Sequence, residues 1–385
     1  MLKHVLTLFL ALAACPYPAP AQAPAPVPQA AAPALPTALA ELTNAMVSAV
    51  LAKDAGAFMR CIDTAEPEFA VEQRNWAADL KEHGPESFSI EIDAADLRES
   101  DGRAVAPMTM TWRTPDADKD RSVTFDAVFT RRGDEFRYAG EEWQRLERDG
   151  LVVCFEEGLE SAAEGAAEAF EKIRTRVEKG FALEDAPQAT KRQVIKLYRS
   201  MAHLQQSIYL SYALPLGGWN EPEESIKVLA GRKSNAASFV GLLAHEYGHV
   251  CTFALGDKAN NMPWWVLEGV ADLSTEPFNP GARAHVDKTV RRWAQNDQIQ
   301  PWETLADFRA VPGDKHTFVY AQGHHFLGYV SDRFGRAGRI AWLTAMAKGQ
   351  SIDEASRSAL GEPFDTLSAD WRASLLAEKQ DAGAD

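Results

Sequence analysis

The stretch "LLAHEYGHVCTF", beginning at Leu242, sets His245, Glu246 and His249 inside an apolar run. Burying two imidazoles and a carboxylate is costly unless each has a partner. His245 and His249 stand four residues apart, so on a helix both rings lie on one face, one turn from each other. Two neutral imidazoles so placed reach one metal ion. Glu246 is rotated about 100° around the helix from His245. There it reaches a water at the metal without being a ligand itself. The stretch therefore reads as a metal-holding helix, and the surrounding chain as the scaffold that supplies the missing ligand.

The spacing is the H-E-x-x-H pattern of zinc metalloproteases. Catalytic zinc usually takes three protein ligands and leaves one position to water or substrate. The third is sought downstream in "NNMPWWVLEGVADLST", beginning at Asn260, which has the look of a Trp-rich helix. Glu268 lies eighteen residues beyond the second histidine, where a carboxylate among apolar neighbours calls for a metal or another cation. Asp272 comes one turn later on the same face. It is placed to accept the free ring N–H of a liganding histidine, which fixes the tautomer and raises the basicity of the ring. One Zn2+ per chain, held by His245, His249 and Glu268, is the expectation. The rival is a set of hydrogen-bonded core residues, which leaves the shared spacing unexplained.

At these residues the sequence resembles the gluzincin metallopeptidases, the peptidase MA-like group that includes thermolysin-like and M1-type enzymes. "HEYGH" and "WWVLEGVAD" carry the resemblance, and "YAQGHHFLGYV" from Tyr320 adds to it. The Glu spacing is that of M1-type enzymes, and the Glu-to-Asp interval is similar to thermolysin-like ones. The resemblance covers roughly residues 151–378. It implies a zinc-dependent hydrolysis of peptide bonds, with Glu246 as general base and Tyr320 as donor to the oxyanion of the tetrahedral intermediate. One departure bears on specificity. M1-type aminopeptidases carry a Gly-x-Met-Glu-Asn segment on the strand before the zinc helix, and here "SIKVLAGRKSN" from Ser225 holds no glutamate. That strand is a candidate to pair with an extended peptide. His324 and His325 either line the cleft or serve a structural role, and Trp264 and Trp265 read as core. Gly248, inside the helix, implies close packing against a neighbour.

The remaining chain bounds these expectations. Its 385 residues are enough for two domains. A net charge of -15 argues against a nucleic-acid partner and leaves peptides and proteins open. The N-terminus reads as an export signal over 1–23, with Lys3 ahead of a short apolar core. Two processing routes stand side by side: lipidation at Cys15 of a lipobox-like "LAAC", or cleavage after "AQA" at Ala23. The only membrane contact expected is such a lipid anchor, in a bacterial periplasmic, membrane-anchored or secreted protein. Residues 16–36 form an Ala/Pro-rich linker. Cys61 and Cys154 are read either as a disulfide pair or as buried thiols, and Cys251 as a small core residue.

The fold class expected is α+β. Over 37–150, helices precede segments that alternate apolar and polar residues, as half-buried antiparallel strands do. These segments begin at Phe88, Ala104, Arg121 and Glu135, the last running through Glu147. That order resembles an NTF2-like cone. Over 151–378 a zincin-like peptidase domain is expected: a small mixed sheet, the HEYGH helix and a mostly helical C-terminal half punctuated by Gly335, Gly349 and Gly361. Two other classes of function remain: a zinc-containing binding or scaffold protein without turnover, and a carrier that holds a small ligand in the N-terminal unit.

Overall fold

The computed structural model describes residues 35–115, 117–186 and 191–377. The export signal, Cys15 and nearly all of the linker expected over 16–36 lie outside them. No helix among the described residues is long and apolar enough to cross a membrane.

The chain opens with α1 (Leu35–Leu51), α2 (Ala55–Arg60) and α3 (Pro67–His83). Asp54 caps α2 by accepting from the Ala57 amide, and Pro67 opens α3, where a missing N–H costs nothing. Next come β1 (Ser87–Ile92), β2 (Arg98–Ser100), β3 (Arg103–Arg113), β4 (Arg121–Arg132) and β5 (Glu135–Glu141). They form one antiparallel sheet in the order β1-β3-β4-β5, with β2 against β3. Along β3 every second residue is buried from Ala104 to Trp112, so the alternation read in the sequence faces a real core. That core joins Met46, Phe58, Trp76, Trp112 and Phe129 between the three helices and the sheet.

The strand expected to run from Glu135 through Glu147 is two strands. The chain leaves the first sheet after Glu141 and enters a second as β6 (Gln144–Arg148), which pairs with β7 (Leu151–Phe155). Helix α4 (Glu160–Gly180) follows, then β8 (Gln193–Tyr198) and α5 (Met201–Ile208). The short α5, capped by Ser200, has no counterpart in the sequence reading, because one amphipathic segment of two turns carries too little periodicity to stand out. The two-residue β9 (Gly218–Trp219) and β10 (Ile226–Leu229) complete a mixed sheet ordered β6-β7-β8-β10-β9. β7, β8 and β10 are parallel, while β6 and β9 are antiparallel edges. The strand after Ser225 is therefore interior, paired on both sides. The edge open to a guest strand on this side is β9.

Helix α6 (Ala236–Phe253) carries HEYGH, and its first turn is closed by a reciprocal Asn235–Ser238 capping box. The helices α7 (Trp264–Thr275), α8 (Ala282–Gln295), α9 (His316–Ala347), α10 (Ile352–Leu360) and α11 (Phe364–Leu376) build the C-terminal half. Gly335, Gly349 and Gly361 all take positive φ: the first breaks α9 and the others end helices, as expected. Cys61, Cys154 and Cys251 are buried free thiols.

Candidate metal centre and cleft

His245 and His249 project from one face of α6, with ring centroids 4.9 Å apart. α7 crosses that helix closely at Gly248, where an added Cβ would sit 2.8 Å from Ser274 Oγ and 3.1 Å from the Ala271 Cα. This approach brings Glu268 to the histidines. Its Oε2 lies 3.2 Å from His245 Nε2 and 3.6 Å from His249 Nε2. The donor atoms of the three residues all fall within 4.8 Å of one another, the one such group of three or more among the described residues.

The partners on the far side of each group decide what it can bind. Asp272 Oδ1 takes His245 Nδ1 at 2.9 Å, so the ring's N–H points outward and Nε2 turns its lone pair inward. Trp264 Nε1 donates to Glu268 Oε1 at 2.7 Å, which fixes the carboxylate and leaves Oε2 as the inward oxygen. Glu268 Oε2 is buried and, although close to both imidazoles, has no hydrogen bond of acceptable geometry. Such an orphan is costly without a cation beside it. Two imidazole nitrogens and one carboxylate oxygen also form a donor set that zinc prefers. The residues present fit a zinc ion.

Electrostatics agree. Burial drives Glu268 toward its neutral form, but His249 and His245 outweigh it and hold its pKa far below the usual carboxylate range. Burial likewise opposes charge on His245, yet the hydrogen bond to Asp272 and the adjacent carboxylates of Glu268 and Glu246 raise its pKa well above the ordinary value. The cluster thus demands positive charge, which a proton or a metal supplies.

Glu246 lies on the cleft side of α6, 5% exposed, and burial raises its pKa. Its carboxylate packs on the backbone of β9: a Cβ at Gly218 would stand 2.5 Å from Glu246 Oε1. Tyr320, on the second turn of α9, reaches the same place, its ring 6.2 Å from that of His245. Burial and the nearby Glu268 and Glu246 push its pKa far up, so its hydroxyl stays a donor. The cleft these residues line has a volume of about 940 Å³.

The structure thus gathers His245, Glu246, His249, Glu268, Asp272 and Tyr320 in one place. It moves two others away. His324 Nε2 pairs with Glu276 at 2.9 Å. His325 Nε2 meets Asp287 at 3.2 Å, while its Nδ1 accepts from Trp371 Nε1. Neither lines the cleft, and each is held by a carboxylate from the segment that follows α7. Trp264 is core, as expected, and also the carboxylate's clamp. The sequence reading missed Tyr212, Trp219, Glu221 and Phe308, which line the cleft from loops and from the two-residue β9, none long enough to carry a periodic signal. Burial and then the charges of Glu268 and Glu246 push the Tyr212 hydroxyl up to about 12. Glu221, half-buried beside Glu224, is raised to about 7 by desolvation and then by that neighbour's charge.

A mixed sheet bordering a helix that bears two histidines, with a carboxylate from the next helix, defines a metallopeptidase-like domain. The chain belongs to the Peptidase MA superfamily, whose sequence profile matches residues 181–377, just over half of its length. The match supports a gluzincin-type peptidase-like domain, in a superfamily usually zinc-dependent and acting on peptides or proteins. No match was found among curated proteins.

Proposed function

We propose that this protein is an exported zinc metallopeptidase. The observation that carries the reading is the buried Glu268 Oε2, without a hydrogen bond and set beside the two histidine Nε2 atoms in the lining of the cleft. His245, His249 and Glu268 would hold the ion, with Asp272 and Trp264 orienting two of the three. A zinc ion there supplies Lewis acidity toward a scissile carbonyl and lowers the pKa of a nearby water.

The chain's own residues would do the rest. Glu246 takes the proton of the attacking water and passes it to the leaving amine. Tyr320 donates its hydroxyl to the carbonyl oxygen as charge develops there. The edge strand β9, whose Gly218 leaves room for the Glu246 carboxylate, offers free backbone groups to an extended peptide. Export is inferred from the Lys3-led apolar segment and the small residues at Cys15 and Ala23. The N-terminal unit, helices followed by an antiparallel sheet, is read as NTF2-like.

The test is elemental analysis together with a peptide-mixture digest read by mass spectrometry, with and without chelator. About one zinc per chain and chelator-sensitive cleavage are expected. A protein that takes up no zinc on reconstitution sinks the reading. One that holds zinc and cuts nothing is the scaffold instead.

A further inference from the structure

The cleft is not built by the peptidase domain alone. Between α5 and β9 the chain is irregular, and buried backbone acceptors there need partners. Several come from the N-terminal domain. Trp112 Nε1 donates to the Leu210 carbonyl at 3.0 Å, and Arg121 Nη1 to that of Tyr212 at 2.6 Å. Asp79, on α3, does more. Its side chain is only 4% exposed. Oδ2 accepts from Ser211 Oγ at 2.7 Å, and Oδ1 from Arg309 Nη2 at 2.6 Å.

Ser211 and Arg309 are the chain neighbours of Tyr212 and Phe308. One carboxylate thus ties together two loops far apart in sequence. The rings they carry lie nearly parallel, with centroids 6.1 Å apart and 7° between planes. Trp219 closes a third side, 5.3 Å from Tyr212 and 5.7 Å from Phe308. All three rings are half-buried and line the cleft. Trp219 adjoins Gly218, on which Glu246 packs. Half-exposed aromatic surface gathered in a cleft gains free energy when an apolar group covers it. The carboxylates along the same cleft, Asp272 and Asp307 among them, disfavour an acidic occupant.

We propose that the N-terminal domain positions the substrate wall of the cleft, with Asp79 holding Tyr212 and Phe308 together. That wall, completed by Trp219, takes a bulky apolar side chain of a peptide. The proposal rests on the peptidase reading for the nature of its ligand. Asp79 is a positioning residue, acting through Ser211 and Arg309.

The experiment uses the full chain bearing Glu246→Gln, so that bound peptides are not cut. Fluorescence anisotropy follows labelled Gly/Ser hexapeptides carrying one central Phe, Leu, Lys or Glu. The Phe and Leu peptides should bind about tenfold or more tighter than the other two, the discrimination an apolar pocket typically achieves. Phe308→Ala should erase that preference. Asp79→Ala should erase most of it with zinc content unchanged, and Asp79→Asn, which keeps one acceptor, should restore part. Arg309→Ala, altering a side chain 40% exposed, tests the same tie without threatening the fold, and should lower the preference in the same direction. Equal binding of the four peptides, or a preference for Lys or Glu, overturns the proposal. So does an unchanged preference in Arg309→Ala and Asp79→Ala. Cleavage by the parent chain is assayed separately: absent hydrolysis with an intact apolar preference removes the peptidase reading and leaves the wall standing.

Discussion

At the scale of single residues, the candidate site is a set of groups each fixed from behind. Asp272 does this for His245, and the geometry yields a prediction. Asp272→Asn keeps the shape but offers no negative charge to the ring N–H. Zinc affinity should fall about 10–100-fold, the usual cost of losing such a support, measured by competition with a chromogenic chelator. Glu246→Gln should keep zinc and lose about 10²–10⁴-fold in turnover, because an amide accepts no proton. Tyr320→Phe separates chemistry from packing. An oxyanion donor is typically worth about 10²–10³ in rate, with kcat and kcat/KM falling alike and KM nearly unchanged. A phenylalanine variant with normal kcat would return Tyr320 to the core and make Tyr212, not His324 or His325, the next hydroxyl or ring to test. That His245 and His249 share one face, and Glu268 and Asp272 another, was legible in the sequence because helical spacing fixes it, whereas their meeting is a contact between two helices. Trp264's second role was not legible, since its hydrogen bond depends on a rotamer.

At the scale of elements, the site depends on how three helices approach one another. α7 brings Glu268, α9 brings Tyr320, and the two cross at Gly269 and Gly323. A Cβ on Gly269 would lie 2.5 Å from the Gly323 carbonyl carbon, and one on Gly323 would lie 2.3 Å from the Trp265 oxygen. Gly269→Ala must therefore push the helices apart. Overpacking of this kind typically costs about 1–3 kcal/mol. The expected outcome is a lower melting temperature together with a larger fractional loss of turnover than of zinc, because Tyr320 moves while the pair on α6 stays. Melts and zinc analysis on one preparation check this. The small residues at the crossing can be read from sequence, but which helix meets them cannot. The same limit explains β9. Two residues carry no alternation, so the sequence points instead to the longer apolar run after Ser225 as the strand for a peptide to join.

For the whole molecule, the helices packed on the first sheet are tied to the second sheet by buried charge. Glu72 on α3 accepts from Lys196 Nζ on β8 and from Ser225, just before β10. Burial works against its charge, but Lys196 and Lys227 prevail and lower its pKa from 4.5 to about 2. A carboxylate so depressed contributes fully above pH 4.5, and the contribution is lost as pH falls toward 2. His203 behaves oppositely. It stacks on Phe125 and faces Glu141 at 3.0 Å and Glu156 at 3.5 Å. Burial opposes its charge, yet the two glutamates raise its pKa from 6.5 to about 10. Its contribution is complete below pH 6.5 and is lost as pH rises through 10. From these two groups, thermal melts should be highest between pH 4.5 and 6.5 and fall on both sides. Lys196→Met leaves Glu72 buried beside fewer cations and should cost about 3–5 kcal/mol near neutral pH. The deficit should narrow on acidification, as Glu72 takes up a proton. A deficit independent of pH would mean that Glu72 is not the group responsible.

What the sequence determined by itself is everything that depends on near neighbours along the chain. That includes the HEYGH face, Glu268 and Asp272 one turn apart, the alternating strands of the first sheet and the glycines that stop the C-terminal helices. Periodicity and backbone conformation are local properties, so a string of residues carries them. Only the tertiary structure decided which groups from distant segments meet. It turned His324 and His325 away from the cleft, made the strand after Ser225 interior, and set Tyr212, Trp219 and Phe308 against one another under Asp79. Those outcomes follow from helix crossings, loop paths and the satisfaction of buried polar atoms. They are properties of contacts between segments, and no spacing within any one segment encodes them.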